Sequence, residues 1–244
     1  DRQEKFTCIL RENGRKEISL NDEPYIRLAD HVGRYPCVII APDDVEMITG
    51  PGEERRRFID GLLSQVDHDY LTQLMTYNRV LQQRNSLLRQ VPETVDEALL
   101  AVYDSQLLAP AGYVHQVRSR LLGRLLENSL EQYQQISGHR DTLKLEYRSQ
   151  LSRQPLGDLL RQSKSRDRAL QRTSADIPRD DIQLELDGQP FKSLASQGQR
   201  KSLLFAMKLA AFQLLKEVKG FAPILLLDDV FEKLDENRMA NLLR

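Results

Sequence analysis

The chain has 244 residues, 40% hydrophobic and 29% charged, which is enough apolar material for a packed core and too much for a disordered tail. No apolar run approaches the roughly 20 residues of a membrane span. Lys plus Arg (35) against Asp plus Glu (36) leaves a formal charge of −1, so a polyanion would have to be met by a local basic patch.

The first segment reads as strands. Phe6, Cys8 and Leu10 alternate, Asn13-Gly14 offers a two-residue turn in which both residues take positive φ, and Ile18 and Leu20 resume the alternation. A short helix is expected near Ile26–Asp30. Cys37-Val38-Ile39-Ile40, stopped by Ala41-Pro42, fits a strand buried on both faces. From Glu53 the period changes to that of a helix: Phe58, Leu62, Val66, Tyr70 and Leu74 recur at every fourth residue, with a break expected near His68-Asp69 and an end at Pro92. A second helix is expected over 94–109, ending before Pro110, and a third over 112–137, closed by Gly138. Three such stripes predict an antiparallel helical arm. Leu143, Leu145 and Tyr147 read as a strand and Leu156–Leu170 as a basic helix. Ile182, Leu184 and Leu186 form another strand; Asp187-Gly188 turns the chain and Phe191 starts the return. A helix over 198–218, closed by Gly220, leads into Ile224-Leu225-Leu226-Leu227 and then Asp228-Asp229.

Four aliphatics followed by two acids resemble the Walker B strand of P-loop ATPases. Such a strand buries its side chains and delivers its carboxyl end to the crevice where ligands bind. One acid can then hold Mg²⁺ and the other can orient or deprotonate water. The same string also fits a buried strand whose acids merely begin a loop. Ser196-Gln197-Gly198-Gln199 opens a helix, where Ser caps free N–H groups and Gly admits a phosphate; an ordinary N-cap explains it equally well. Order and distance add information, because about thirty residues separate Ser196 from Asp228, as between the signature loop and Walker B of ABC-type ATPases. Leu234-Asp235 resembles the D-loop that follows.

Together these stretches resemble the RecF family of bacterial replication and repair proteins. Ala41–Val45 is similar to its Pro-Glu/Asp-Asp-Leu stretch, Gly52–Asp60 to its Arg-Arg-x-Phe-Leu-Asp element, and Tyr77–Asn85 to its Tyr-x-x-x-Leu-x-Gln-Arg-Asn helix. Ser196–Gln199 and Leu225–Val230 resemble its signature and its Walker B strand. Thr173–Asp181 keeps the ends of a Thr-Thr-x-Gly-Pro-His-Arg-Asp-Asp loop but not its centre. The Walker A loop is missing, since none of the 12 glycines precedes a lysine. With Asp1 first and all four methionines internal, a piece of a longer protein is expected, inactive toward ATP by itself.

The resemblance implies an α/β (α+β) ABC-type ATPase head, incomplete, with head parts at 1–49 and 171–244 and a helical arm inserted at 50–170. It implies ATP and Mg²⁺ as cofactors, with Ser196, Gln197, Gly198, Gln199 and Asp235 at the nucleotide, Asp228 on the metal and Asp229 as catalytic base. Implied partners are single- and double-stranded DNA, a second copy in an ATP-dependent homodimer, RecO- and RecR-type mediators and the RecA recombinase, in the cytoplasm. The alternatives are another SMC- or Rad50-like ATPase, for which the arm is too short to form a long rod, and a non-catalytic DNA- or partner-binding module. Residues 112–172 hold twelve Lys/Arg, among them Arg118, Arg124, Lys144 and Arg161, against six acids. That excess suits phosphates or simply a solvated face. Arg55-Arg56-Arg57, offset by Glu53 and Glu54, reads as structural or interdomain and not as a nucleic-acid contact. His31, His68, His115 and His139 show no metal spacing, and Cys8 and Cys37 read as small core residues in a reducing cytosol.

Overall fold

The structure is a computed structural model and describes residues 4–90, 96–138, 141–175 and 177–228. Strands β1 (Phe6–Leu10) and β2 (Lys16–Leu20) pair antiparallel with Leu10 opposite Lys16. Asn13-Gly14 does turn the chain, but in a longer loop than expected: Gly14 N–H donates to Arg11 O at 2.8 Å, and of the two only Gly14 has positive φ (78°). The two-residue turn with both φ positive lies next door instead, at Asn21-Asp22 (51° and 67°), and leads into β3 (Glu23–Pro24). Asp tolerates this left-handed region better than most residues. Phe6 stacks on the His31 ring, centroids 4.7 Å apart, and meets Tyr35 edge-on. This small aromatic cluster ties the hairpin to a 3₁₀ turn at Leu28–His31. The hairpin lies outside the main core: Leu10 is 66% exposed, and Cys8 is exposed and Cys37 half-buried, contrary to the expected core cysteines.

Strand β4 (Cys37–Ile40) is followed by α1 (Glu46–Thr49), α2 (Gly52–Val66) and α3 (His68–Leu88). The break falls at Asp67, whose carboxylate accepts from the N–H groups of Asp69 and Tyr70 and so caps α3. The two helices expected on either side of Pro110 are one, α4 (Glu97–Ser137). A proline inside a helix forfeits a hydrogen bond and costs about 3 kcal/mol. Here Leu107, Ala111 and Val114, flanking Pro110, are fully buried, and their packing carries the helix across the gap. Gly138, at φ 74°, ends it as expected.

The remaining elements are β5 (Leu143–Arg148), α5 (Leu156–Leu170), β6 (Asp181–Leu186), β7 (Gln189–Pro190), α6 (Phe191–Leu194), α7 (Gln197–Lys219) and β8 (Ile224–Leu227). β5, β6 and β7 form an antiparallel sheet. The return strand is Gln189–Pro190; Phe191, buried, starts α6 instead. Side-chain links fix the directions of the long helices. α4 runs antiparallel to α3, joined by Arg84–Asp104 near one end and Arg118–Tyr70 near the other. Its second half runs antiparallel to α7, through Arg124–Glu217 and Asp141–Gln199. At 41 residues, α4 is a spine roughly 60 Å long, and one continuous core extends along it from Val38 to Leu215.

β4 and β8 pair in parallel, Cys37 opposite Ile224 through Ile40 opposite Leu227. Val38 and Ile40 are buried, whereas Ile39 is 48% exposed and β8 is exposed along its length. The expected burial on both faces is therefore not met, because among the described residues helices cover only one face. The other edge of β4 is sealed by side chains. Gln65 bonds both Cys37 N–H and Cys37 O, Lys208 Nζ donates to Ile39 O, and Asp44 accepts from Ala41 N–H. These contacts occupy groups to which a further strand would bind. No described helix is long and apolar enough to cross a membrane.

Candidate functional site

Ser196 stands at the exposed start of α7 in a reciprocal capping box. Gln199 N–H donates to Ser196 Oγ at 3.3 Å, and Ser196 N–H donates to Gln199 Oε1 at 2.8 Å. Gln199 Nε2 also donates to Asp141 Oδ1 at 3.0 Å, which fixes the amide. Ser196 and Gln197 are exposed, Gly198 and Gln199 half-buried. The N–H groups of Gln197 and Gly198, in the first turn, have no intrahelical acceptor. With the positive end of a 23-residue helix behind them, they form a surface suited to an anion.

Asp228 is exposed just past the carboxyl end of β8, where its N–H donates to Ile40 O at 3.0 Å. Asp44, beside the same end of β4, is held by Ala41 N–H and by Lys208 Nζ, 2.9 Å away. Lys208 also lies 5.6 Å from the centre of the Phe58 ring. Lys208 therefore locates the strand ends against α7, twelve residues from Ser196 and so roughly 18 Å along the helix. Within one chain, the capped helix start and the Asp228 carboxylate are separate places. Asp229 and Asp235 lie outside the described residues.

The other motif stretches close on one another inside the molecule. Arg118 is buried on α4: Nε donates to Tyr70 OH (3.0 Å), Nη1 to Asp180 Oδ2 (2.8 Å) and Nη2 to Asp60 Oδ1 (2.7 Å). Tyr147 OH donates to the same Asp180 oxygen at 2.6 Å. Burial works against the Arg118 charge, but Tyr70, Asp60 and Asp180 outweigh it and hold its pKa well above the ordinary guanidinium value. Tyr70 and Tyr147 are pushed up, mainly by burial and then by their carboxylate neighbours. His115, near Tyr147, is pushed down by burial. Arg84, buried on α3, donates to Asp104 (2.6 Å), Asp167 (2.9 Å) and Thr173 Oγ1 (2.8 Å), while Asn85 Oδ1 accepts from Thr173 N–H and Oγ1. Arg55 forks onto Asp181 at 2.7 and 2.8 Å, and Arg56 donates to Asp180 O.

The kept ends of the Thr173–Asp181 loop are thus anchors: Thr173 to the Arg84-Asn85 pair, Asp180 and Asp181 to Arg118 and Arg55. Arg55 and Arg56 are structural, as expected, and Arg57 pairs with Glu53 and Glu54 at the surface. Sequence reasoning missed the clamps. Their signal was present, since Arg118 continues the stripe Val114, Leu121, Leu125 and Arg84 the stripe Tyr77, Val80, Leu88. A charge inside an apolar stripe implies buried partners.

This also corrects the basic patch. Arg118 is interior, and Arg124, Lys144 and Arg148 face Glu217 and Glu146. Arg140 and His139 lie outside the described residues. Among the described residues no group of His, Cys, Asp and Glu gathers with metal-binding geometry.

No protein-family model matches the chain. Individual relatives do. The DNA replication and repair protein RecF of Flavobacterium johnsoniae is 39% identical over 244 residues, 99% of this chain and 68% of the relative. That of Parabacteroides distasonis is 38% identical over 243 residues, 100% of this chain and 66% of the relative. The chain therefore spans about two thirds of the length of these relatives. Among solved structures, the recombination mediator protein RecF of the RecFOR pathway with ATP matches with a TM-score of 0.88 at 29% identity, over 98% of this chain and 67% of that one. The form with ATPγS matches at 0.87 and 29%, over 96% and 66%. A mixed helix-and-sheet fold of ABC ATPase-head type and similarity over nearly the whole of this chain lead to one conclusion: the chain belongs to the RecF family of DNA replication and repair proteins.

Proposed function

We propose that the chain is part of an ATP-dependent DNA-binding protein of recombinational repair and replication, cytoplasmic, closing as a homodimer on ATP at single-strand gaps. Residues 50–170 form its arm, and 1–49 with 171–244 belong to its head. The observation that carries this reading is the separation of the two half-sites in a chain of this family. The anion-ready helix start lies roughly 18 Å along α7 from Lys208, the residue that meets the end of β4 beside Asp228, and a second molecule would bring the two half-sites together.

The residues suit the groups assigned to them. The Asp228 carboxylate is a hard oxygen ligand fit for Mg²⁺, and the first turn of α7 suits a terminal phosphate. Bound magnesium would supply neutralising charge as the phosphoryl group transfers. Ser196 Oγ, the N–H groups of Gln197 and Gly198, and the Gln199 amide orient the γ-phosphate of nucleotide held by the partner molecule. Asp229 takes a proton from water or orients it, and Asp235 reports across the interface. The DNA-bound dimer then directs RecO- and RecR-type mediators to place RecA.

The test is DNA retardation by the complete protein across a salt series, with and without ATP. ATP-dependent retardation that weakens steeply with salt is expected; an unchanged response on adding ATP would contradict the clamp.

A further inference from the structure

Helix α5 and its flanks carry the densest run of basic side chains on the arm, whereas Arg79, Arg89 and Arg120, also exposed, stand apart from one another in sequence. Helix α5 buries Leu156, Leu159, Leu160 and Asp167. Arg161, Lys164 and Arg168 follow one another at helical spacing on the outward side, and Arg172 lies just past the helix end. Arg166 flanks this row and Arg153 precedes it. The helix lies antiparallel on the first turns of α4, with Gly157 beside Leu108, and Lys164 and Arg168 both on Glu97.

Of these six cations, three pair with two surface acids. Asp158 pairs with Arg161, and Glu97 serves Lys164 and Arg168 together. The third acid, Asp167, is occupied internally by Arg84 and Ser174. Arg153, Arg166 and Arg172 are exposed and have no ion-pair partner among the described residues. From Gly157 to Arg168 the ridge is roughly 16 Å long, about five base-pair steps at 3.4 Å per strand.

Resting on the DNA-binding reading above, we propose that the outward face of α5, with Arg153 and Arg172, is where the arm meets the phosphate backbone of duplex DNA. The chemistry favours a polyanion over an acidic protein. Gln162, Ser165 and Ala169 lie between the cations, and no aromatic anchor of the kind that dominates protein interfaces is present. The same lack of aromatics makes the contact one of charge, blind to base sequence.

The test uses the complete protein carrying Arg153→Ala, Arg166→Ala and Arg172→Ala together. None of the three holds another side chain in place, so the melting temperature should stay within about 2 °C of the parent. Binding of a duplex oligonucleotide in ATP, followed from 50 to 300 mM KCl, should weaken about 10-fold or more at the low-salt end. The log–log salt slope should become shallower by about 2 to 3. The comparison variant Arg124→Ala/Lys144→Ala/Arg148→Ala, whose cations already face acids, should keep the parental slope. A parental slope in the first variant while the parent binds DNA overturns the α5 assignment and leaves the DNA-binding reading standing. Lost binding of an acidic protein with the DNA slope intact also overturns it. A parent that binds no DNA removes both.

Discussion

Arg118 offers a direct test of the interior clamp. Arg118→Met keeps most of the side-chain volume and removes the guanidinium. Asp180, with a side chain 2% exposed, then keeps only the hydroxyl of Tyr147 and no cation, whereas Asp60, 26% exposed, regains some water. Breaking a buried pair from one side costs about 3–5 kcal/mol. Partial hydration of Asp60 puts the expected loss near the lower end, about 3 kcal/mol. At this chain length that is roughly 6–12 °C in Tm. Urea unfolding followed by circular dichroism should show a lower midpoint with an unchanged m value. Adding Asp180→Asn should recover part of the loss, because the uncompensated charge goes with it. Arg124→Met, which removes a half-exposed pair with Glu217, should cost under about 1 kcal/mol. Equal costs for Arg118→Met and Arg124→Met would refute the clamp.

Gly33 has φ 79°, and an added Cβ would lie 2.3 Å from the Gln65 carbonyl oxygen. Gly33→Ala should therefore lose about 2 kcal/mol or more in denaturant unfolding, against about 1 for Gly14→Ala, where φ is 78° but no atom lies within 4 Å; similar losses would count against the close approach. Burial lowers the His115 pKa, so below about pH 6.5 the unfolded chain takes up this proton before the folded one does. Stability should fall as pH drops through that window, and His115→Gln should flatten the decline when unfolding midpoints are compared at pH 7.5 and 5.5; an equal or steeper decline in the variant would contradict it.

The sequence showed helix ends best where a single residue type fixes the backbone. Asp67, Gly138, Ser196 and Gly220 each stop or start a helix as their chemistry requires. It misled at Pro110, because the packing of Leu107, Ala111 and Val114 against the rest of the core decides whether a helix survives a missing hydrogen bond. It misled again at Ile39 and Leu225, since burial of a strand depends on which elements cover it and not on its own residues. The half-sites were legible as a capped helix start and an aliphatic strand ending in Asp228. Their separation within one chain was not, because it depends on where Lys208, roughly 18 Å along α7 from Ser196, meets β4. Arg84 and Arg118 were obscured by their charge, which counts toward a basic surface until burial shows them to be interior struts.

The most direct measurement mixes two variants of the complete protein, Ser196→Arg and Asp229→Asn, and follows ATP turnover. Each alone should fall on the order of 10²-fold. If every site joins the acids of one molecule to the helix start of its partner, a mixed dimer contains one intact site and one doubly damaged site. An equimolar mixture should then recover about a quarter of parental turnover, half the dimers being mixed with one working site of two. A mixture as inactive as its components would contradict a site shared between two molecules.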